Sequence, residues 1–216
     1  MIVINDGVPG ENSTELRARF ARELAKWRPQ YLILYTGMND AANPRKFTSA
    51  DRYRINLVAM LDDERLRGVE VILIAIQPTD TRRVLQRHAA EDYGSQLPNR
   101  RIELLNRVLE DVSTQRHVPL VRFDKVLQAA GGPDKRLSVD GIHLSAAGYG
   151  LLANSVRAAL PADLHAGGAI LCIGDSLTFG QGVRPLHADL AGSDGRPYPT
   201  YPAQLQQKIA MPGSSY

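Results

Sequence analysis

One short run near the end of the chain constrains both its fold and its chemistry. The apolar residues Ile170 to Ile173 lead directly into the turn Gly174-Asp175-Ser176. Continuous apolar runs of this length suit strands that are buried on both faces of a parallel sheet. A tight turn after such a strand lifts a serine to the rim of the sheet, where it can act as a nucleophile. The run therefore predicts an α/β fold with Ser176 at the carboxyl edge of its sheet.

Four further apolar runs show the same lack of alternation. They are residues 2–5, 31–35, 71–76 and 119–123. Amphipathic helical patterns lie between them, and Asn12 with Glu15 is a capping pair at the start of the first. The alternation of strand and helix predicts a three-layer α/β/α sandwich with a five-stranded parallel sheet. At 216 residues the chain suits a single domain over residues 1–216.

Composition excludes several other classes of protein. Hydrophobic residues make up 44% and charged residues 23% of the chain, which is ordinary globular usage. The net charge is only +3 and the arginines form no block, so nucleic acid is not an expected partner. No apolar run approaches the roughly 20 residues of a membrane span. The sequence shows no signal peptide, and it indicates neither a localisation nor an oligomeric state.

The serine run resembles the signature of the GDSL, or SGNH, hydrolases. In that family the serine block comes first and is followed by a glycine block, a Gly-x-Asn-Asp block and an Asp-x-x-His block. Here the three later blocks lie upstream of the serine, at residues 8–13 (VPGENS), 36–40 (TGMND) and 140–145 (DGIHLS). Their cyclic order is preserved. The resemblance therefore implies a circularly permuted SGNH hydrolase with a flavodoxin-like fold.

Permutation makes predictions about chain connectivity. The stretch 161–169 would be the linker that joins the ancestral ends. The new ends would lie in the connection between the loop 211–216 and the strand at Ile2. Residues 1 and 216 should therefore lie close together. The strand order should be 1-5-2-3-4, with the strand at Ile170 between those at Ile2 and Tyr31. An unpermuted α/β chain would leave its last strand at a sheet edge.

The resemblance also implies a role for each candidate site residue. Ser176 would be the nucleophile, His143 its general base and Asp140 the carboxylate that orients the histidine. A spacing of three lets a carboxylate and an imidazole of one turn face each other. The backbone N–H groups of Ser176 and Gly10 and the side-chain amide of Asn39 would form the oxyanion hole. This machinery implies a small-molecule ester as substrate and requires no cofactor and no metal.

Each of these residues also has a purely structural interpretation. Ser176 would suit a helix cap, and Gly10 and Asn39 would suit ordinary turns. Four matching blocks in one chain favour the catalytic interpretation. Asp175 and Asp40, which adjoin key residues, are expected to form turns or caps and to take no part in catalysis.

The substrate is expected to contact two irregular stretches that follow the strands. One is residues 182–199, and the other is residues 77–98, which is rich in arginine and contains Arg82, Arg83, Arg87 and His88. Open α/β sheets bind ligands at this edge. Because loops decide specificity, a thioesterase, a lysophospholipase and a carbohydrate deacetylase all remain open beside a simple esterase.

Two interpretations from other classes use the same residues. A metal-dependent phosphodiesterase would bind its metal through Asp6, Asn39, Asp140 and His143, but the sequence has no dense Asp/His cluster. A non-catalytic binding module could retain the fold, although it would have no need for every polar residue of the site. A dinucleotide-binding loop is disfavoured because the G-x-G-x-x-G spacing is not met after the first strand.

Overall fold

A five-stranded parallel sheet forms the centre of the computed structural model, which describes residues 1–164, 167–186 and 197–210. The strands are β1 Ile2–Gly7, β2 Tyr31–Tyr35, β3 Glu70–Ile74, β4 Leu120–Val121 and β5 Ala169–Gly174. The helices are α1 Ser13–Trp27, α2 Met38–Ala42, α3 Ala50–Leu61, α4 Thr81–Val84, α5 Pro98–Arg116, α6 Phe123–Ala129, α7 Ala146–Ala159, α8 Ser176–Phe179 and α9 Tyr201–Ala210. Short 3-10 turns occupy Pro44–Lys46, Glu64–Leu66 and Ala90–Tyr93.

The strand order is β1-β5-β2-β3-β4, which confirms the order predicted from the sequence. The strand β5 comes last in the chain but pairs with β1 on one side and β2 on the other. Its residues Ile170, Leu171, Cys172 and Ile173 are fully buried. Because all strands are parallel, the residues that follow them meet at one edge of the sheet.

The predicted permutation concerns residues that are only partly described. Residues 211–216 lie outside the described residues, so the predicted closeness of residues 1 and 216 lies outside them as well. Within the predicted linker 161–169, residues 165 and 166 also lie outside, and Ala169 already belongs to β5. Circular permutation and the single domain over residues 1–216 therefore stay predictions. The distance between residues 1 and 216 is the measurement that tests the first of them.

Helices cover both faces of the sheet, as the α/β/α prediction requires. On one face α1 contacts α3 and α3 contacts α5, and on the other α9 contacts α7 and α7 contacts α6. The predicted capping pair is present, since Asn12 Oδ1 accepts from the N–H of Glu15 (3.1 Å) and the Glu15 carboxylate accepts from the N–H of Asn12 (3.0 Å). None of the described helices is both long and apolar enough to cross a lipid bilayer.

Of the five strands, only β2 has the same length as the apolar run that predicted it. The strand β1 continues beyond the predicted run to Gly7, so Asp6 and Gly7 also belong to it, because β5 extends far enough to pair with them. The strand β4 has only two residues, since it pairs on one side only, and Phe123 already begins α6. The stretch 77–98 is also less irregular than expected, because it contains α4 and one 3-10 turn.

Candidate active site

Ser176 lies at the point where β5 turns into the short helix α8. Asp175, and not Ser176, caps this helix, because its Oδ1 accepts from the N–H of Leu177 at 2.9 Å. A Cβ on Gly174 would lie 2.1 Å from the carbonyl oxygen of Tyr35, so only glycine allows the turn to approach β2 this closely. Ser176 is 4% exposed. Packing therefore holds its hydroxyl at the carboxyl edge of the sheet.

The turn that carries Asp140 and His143 is built by its own hydrogen bonds. Asp140 Oδ1 accepts from the N–H groups of Ile142 (2.9 Å) and His143 (2.8 Å). The predicted cap at Ser145 begins α7, since its hydroxyl accepts from the N–H of Gly148 at 3.2 Å. The turn is thus fixed at both ends, which gives the imidazole a defined direction.

Asp140, His143 and Ser176 form a continuous hydrogen-bonded series. His143 Nδ1 lies 2.7 Å from Asp140 Oδ2, and His143 Nε2 lies 3.1 Å from Ser176 Oγ. Partial burial alone would raise the pKa of Asp140, but the hydrogen bond and charge of His143 outweigh it and hold this pKa well below its usual range. The carboxylate is therefore ionised near neutral pH. It favours the histidine tautomer with the proton on Nδ1, which leaves Nε2 to accept from the serine.

Gly10 and Asn39 line the same cavity as His143 and Ser176. The cavity has a volume of about 240 Å³. Gly10 has a φ of +83°, a conformation that other residues rarely adopt. Asn39 Nδ2 donates to the carbonyl oxygen of Glu11 at 3.0 Å and lies 3.4 Å from Asp175 Oδ2. The structure thus brings all five predicted site residues to one place.

Two buried carboxylates adjoin site residues in the sequence. Asp175 caps α8, as the sequence predicts, whereas Asp40 lies within α2 and binds the start of α1, whose cap is Asn12. Asp40 accepts from both the N–H and the hydroxyl of Ser13, the first residue of α1. Burial raises the pKa of Asp40. The pKa of Asp175 is raised to about 7, first by burial and also by the charges of Asp40 and Glu11, against the hydrogen bond from Leu177.

The raised pKa of Asp175 makes stability depend on pH. The folded state retains a proton that the unfolded chain releases near pH 4, so stability falls as the pH rises from about 4 to about 7. Asp175→Asn keeps the oxygen that caps α8 but cannot ionise. The difference in unfolding free energy between this variant and the unsubstituted protein should be about 2 kcal/mol more favourable to the variant at pH 8 than at pH 5. Urea unfolding at the two pH values measures this, and a difference that does not change with pH contradicts it.

The ligand set of the metal-dependent alternative is not assembled in the structure. Asp6 Oδ2 lies 2.6 Å from a guanidinium nitrogen of Arg19, which also binds Glu11 at 2.8 Å. Within residues 1–164, 167–186 and 197–210, no group of three or more His, Cys, Asp or Glu side chains is placed to hold a metal ion. Asp6 is therefore part of an ion-pair network beside the site.

Two contacts made by arginines at the site were not predicted from the sequence, which placed Arg87 only in a stretch expected to contact the substrate and gave Arg19 no role. Arg87 Nη1 lies 2.6 Å from Asp140 Oδ2, and Arg19 donates to the carbonyl oxygen of Gly174 at 3.2 Å. Neither arginine has a local signal, because the partners are 53 and 155 residues away along the chain.

Of the two stretches predicted to contact the substrate, the structure describes the first fully and the second only in part. In 77–98, Arg87 and His88 line the cavity, whereas Arg83 binds the carbonyl oxygen of Ser138 and Arg82 is exposed. In 182–199, residues 187–196 lie outside the described residues. In the first stretch, Arg87 therefore lines the cavity and binds Asp140, whereas Arg83 binds the loop that precedes Asp140.

Comparison with known proteins identifies the family. A model described as the GDSL-like lipase/acylhydrolase family matches residues 1–151, more than half of the chain. The chain belongs to this family. The matched range contains Gly10, Asn39, Asp140 and His143 and ends before Ser176. This agrees with the unusual position of the serine block.

Two curated proteins are similar to parts of the chain. Esterase TesA of Pseudomonas aeruginosa is 28% identical over 141 residues, which are 65% of this chain and 60% of that protein. The uncharacterized lipoprotein YqeF of Bacillus subtilis is 33% identical over 81 residues, 35% of this chain and 32% of that protein. The chain thus spans less than two thirds of either curated relative.

Solved structures show the same fold. The lipase/acylhydrolase from Enterococcus faecalis has a TM-score of 0.58 and 28% identity, with 68% of this chain and 69% of that chain covered. An acetylxylan esterase from Geobacillus stearothermophilus has a TM-score of 0.56 and 17% identity, with 69% and 67% covered. At 17% identity the second likeness concerns the fold alone.

Proposed function

We propose that this protein is a serine hydrolase that cleaves carboxylic esters. The observation that carries the proposal is the series from Asp140 through His143 to Ser176, with contacts of 2.7 and 3.1 Å at a cavity of about 240 Å³. Membership of an acylhydrolase family supports the same chemistry. A nucleophile, a base and a group that orients the base are the parts that acyl transfer needs.

In the first half of the reaction, Ser176 Oγ attacks the ester carbonyl carbon while its proton passes to His143 Nε2. Asp140 stabilises the imidazolium that forms. The carbon–oxygen bond to the alcohol then breaks, and Nε2 returns the proton to the leaving oxygen. In the second half, water attacks the acyl-serine, gives its proton to Nε2, and the serine leaves with that proton. The products are the free acid and the alcohol.

The negative oxygen of each tetrahedral intermediate requires hydrogen-bond donors. We assign this role to the N–H groups of Ser176 and Gly10 and to Asn39 Nδ2. Ser176 is the first residue of α8, so its N–H has no partner within that helix. Gly10 presents its backbone without a Cβ. Asn39 lines the cavity and its Nδ2 donates to Glu11 at 3.0 Å, and the longer contact of Nδ2 with Asp175 Oδ2, at 3.4 Å, is the one that a substrate oxyanion would replace.

Asn39→Ala is expected to lower kcat by about 10²- to 10³-fold with little change in KM, because one oxyanion donor is lost and such donors act mainly in the transition state. Steady-state kinetics with a 4-nitrophenyl ester measures both constants. Thermal unfolding of the variant serves as the control for folding. A raised KM with an unchanged kcat would instead make Asn39 a ground-state binding residue.

The cavity dimensions favour a short acyl group. A volume of about 240 Å³ is below the range of about 300 to 1,000 Å³ that is usual for pockets that hold drug-sized ligands. A short-chain esterase or a carbohydrate deacetylase fits this volume better than a lysophospholipase or a long-chain thioesterase. Both favoured activities use the same nucleophile and differ only in the alcohol that leaves.

A substrate panel tests the proposal. It contains 4-nitrophenyl esters of increasing acyl length, an acetylated sugar and acyl-CoA. We expect kcat/KM to be highest for the acetyl esters and to fall with chain length, and we expect a serine-reactive phosphonate to stop the reaction. Loss of activity on chelation of metal ions would favour the phosphodiesterase alternative. If no ester is hydrolysed and no phosphonate adduct forms, the non-catalytic binding module is favoured.

A further inference from the structure

Residues 77–88, here called the brace, contact residues 138–143, here called the histidine loop because they carry Asp140 and His143. The contacts come from four positions of the brace that are three or four residues apart. They are Gln77, Asp80, Arg83 and Arg87. Such regular contact indicates that the brace has a role in holding the histidine loop, in addition to lining the cavity.

The first two contacts hold the backbone directly after Asp140. Gln77 is fully buried, and its oxygen accepts from the hydroxyl of Tyr35. This fixes the amide so that Nε2 donates to the carbonyl oxygen of Ile142 at 3.2 Å. The N–H of Asp80 donates to the carbonyl oxygen of Gly141 at 2.9 Å. The histidine loop is thereby tied to the end of β3.

Arg83 holds the other end of the histidine loop. Its guanidinium donates to the carbonyl oxygen of Ser138 at 3.2 Å and to that of Pro133 at 3.4 Å. A Cβ on Gly141 would lie 3.0 Å from the Cβ of Arg83, so the two segments are in close contact. Backbone displacement of the loop would break several hydrogen bonds at once.

Arg87 differs from the other three because it binds the carboxylate itself. Its Nη1 lies 2.6 Å from Asp140 Oδ2, the same oxygen that lies 2.7 Å from His143 Nδ1. Asp140 Oδ2 is therefore shared by the Arg87 guanidinium, which is a cation, and by the His143 ring, which becomes a cation when it takes up a proton. The side chains of Arg87 and Asp140 are 40% and 29% exposed, so solvent screens the pair only in part.

We propose that the brace positions the Asp140–His143 pair and that Arg87, through its ion pair with Asp140, sets the pH range in which His143 accepts the Ser176 proton. The proposal rests on the proposed function. When His143 takes the proton, it becomes a cation one carboxylate away from the Arg87 guanidinium. Repulsion between the two cations, and the sharing of one oxygen, both disfavour the protonated imidazole. We therefore expect that removal of the Arg87 charge makes proton transfer to the imidazole more favourable.

Other ionisable groups near the pair are Asp80 and Arg83 of the brace, together with Asp175, Tyr149 and His88. Asp175 and Tyr149 are fully buried, and Tyr149 interacts electrostatically with Asp140 and Asp175. His88 lines the same cavity as His143. These groups are present in every variant described below, so a difference between the variants isolates the charge of Arg87.

The test compares the acid limb of the kcat/KM–pH profile for a neutral ester, 4-nitrophenyl acetate. Arg87→Gln should move the midpoint of this limb upward by about half a pH unit, the size expected for partly screened charges at this separation. Arg87→Lys retains a positive charge and should restore most of the original position. Arg82→Gln removes an exposed arginine from the same segment and should leave the limb where it is.

Two kinetic results would overturn the proposal. In the first, Arg87→Gln leaves the limb unmoved and raises KM only for an anionic ester such as 4-nitrophenyl succinate, which would make Arg87 a substrate-binding residue. In the second, Arg82→Gln moves the limb equally, which would indicate a general effect of net charge. The titration of the His143 ring, followed by NMR in unsubstituted protein and Arg87→Gln, provides a readout without catalysis. Its midpoint should rise in the variant even if no ester is hydrolysed, and an unmoved midpoint rejects the proposal independently of the proposed function.

Discussion

Ser176→Ala is expected to reduce kcat for ester hydrolysis by about 10⁶-fold while leaving the fold intact. In the proposed mechanism the Ser176 hydroxyl supplies the attacking atom, so its removal leaves no nucleophile. Among the described contacts, the Ser176 side chain makes a hydrogen bond only to His143. The cap of α8 is provided by Asp175 and does not need the Ser176 hydroxyl. The thermal midpoint should therefore change little. Hydrolysis of 4-nitrophenyl acetate and thermal unfolding measure the two quantities on the same preparation.

Covalent labelling identifies the nucleophile independently of rate. A serine-reactive phosphonate should add one label to the unsubstituted protein, on the peptide that contains Ser176, and none to Ser176→Ala. Ser155→Ala is a matched control, because Ser155 lies on α7 and its hydroxyl binds only the local backbone at Leu151 in the described contacts. This control should retain both activity and label. A label on another serine, or full activity in Ser176→Ala, would reject the assignment.

His143→Ala should cost about as much activity as Ser176→Ala, and the double variant should cost hardly more than either single one. The reason is that a base has nothing to activate once the nucleophile is absent, so residues that act as a unit give grossly non-additive losses. The rate of the unsubstituted protein should also fall on the acid side, because a protonated imidazole cannot accept the serine proton. Single-turnover rates of the three variants test the first point.

The outcome that contradicts this prediction is multiplication of the two losses. It would mean that His143 and Ser176 act in separate steps in spite of the 3.1 Å between Nε2 and Oγ. Thermal unfolding again serves as the control, since His143 also donates its N–H to Asp140 and helps to build the turn. That backbone contact survives substitution of the side chain, so a large loss of stability is not expected.

The position of the nucleophile turn was predictable from local patterns. Apolar runs identified all five strands. The signal is clearest for β2 and β5, because a strand covered on both faces has no polar side to alternate with. Asn12 with Glu15 predicted the cap of α1, and Ser145 predicted the cap of α7, since each contact spans only three residues. The central position of β5 followed from the order of the sequence blocks, and the sheet has that order.

The charges around the site depend instead on contacts between distant parts of the chain. No local pattern indicates that Arg87 binds Asp140, or that Arg19 reaches Gly174. Only the tertiary packing of α1, and of the segment that follows α4, against the sheet edge brings these groups together. The raised pKa of Asp175 likewise depends on burial beside Asp40 and Glu11. The sequence by itself determined the strand ends at which the candidate site residues lie, and it predicted the roles that the proposed function gives them. Only the tertiary structure decided their electrostatic surroundings, because burial and distance are properties of the folded chain.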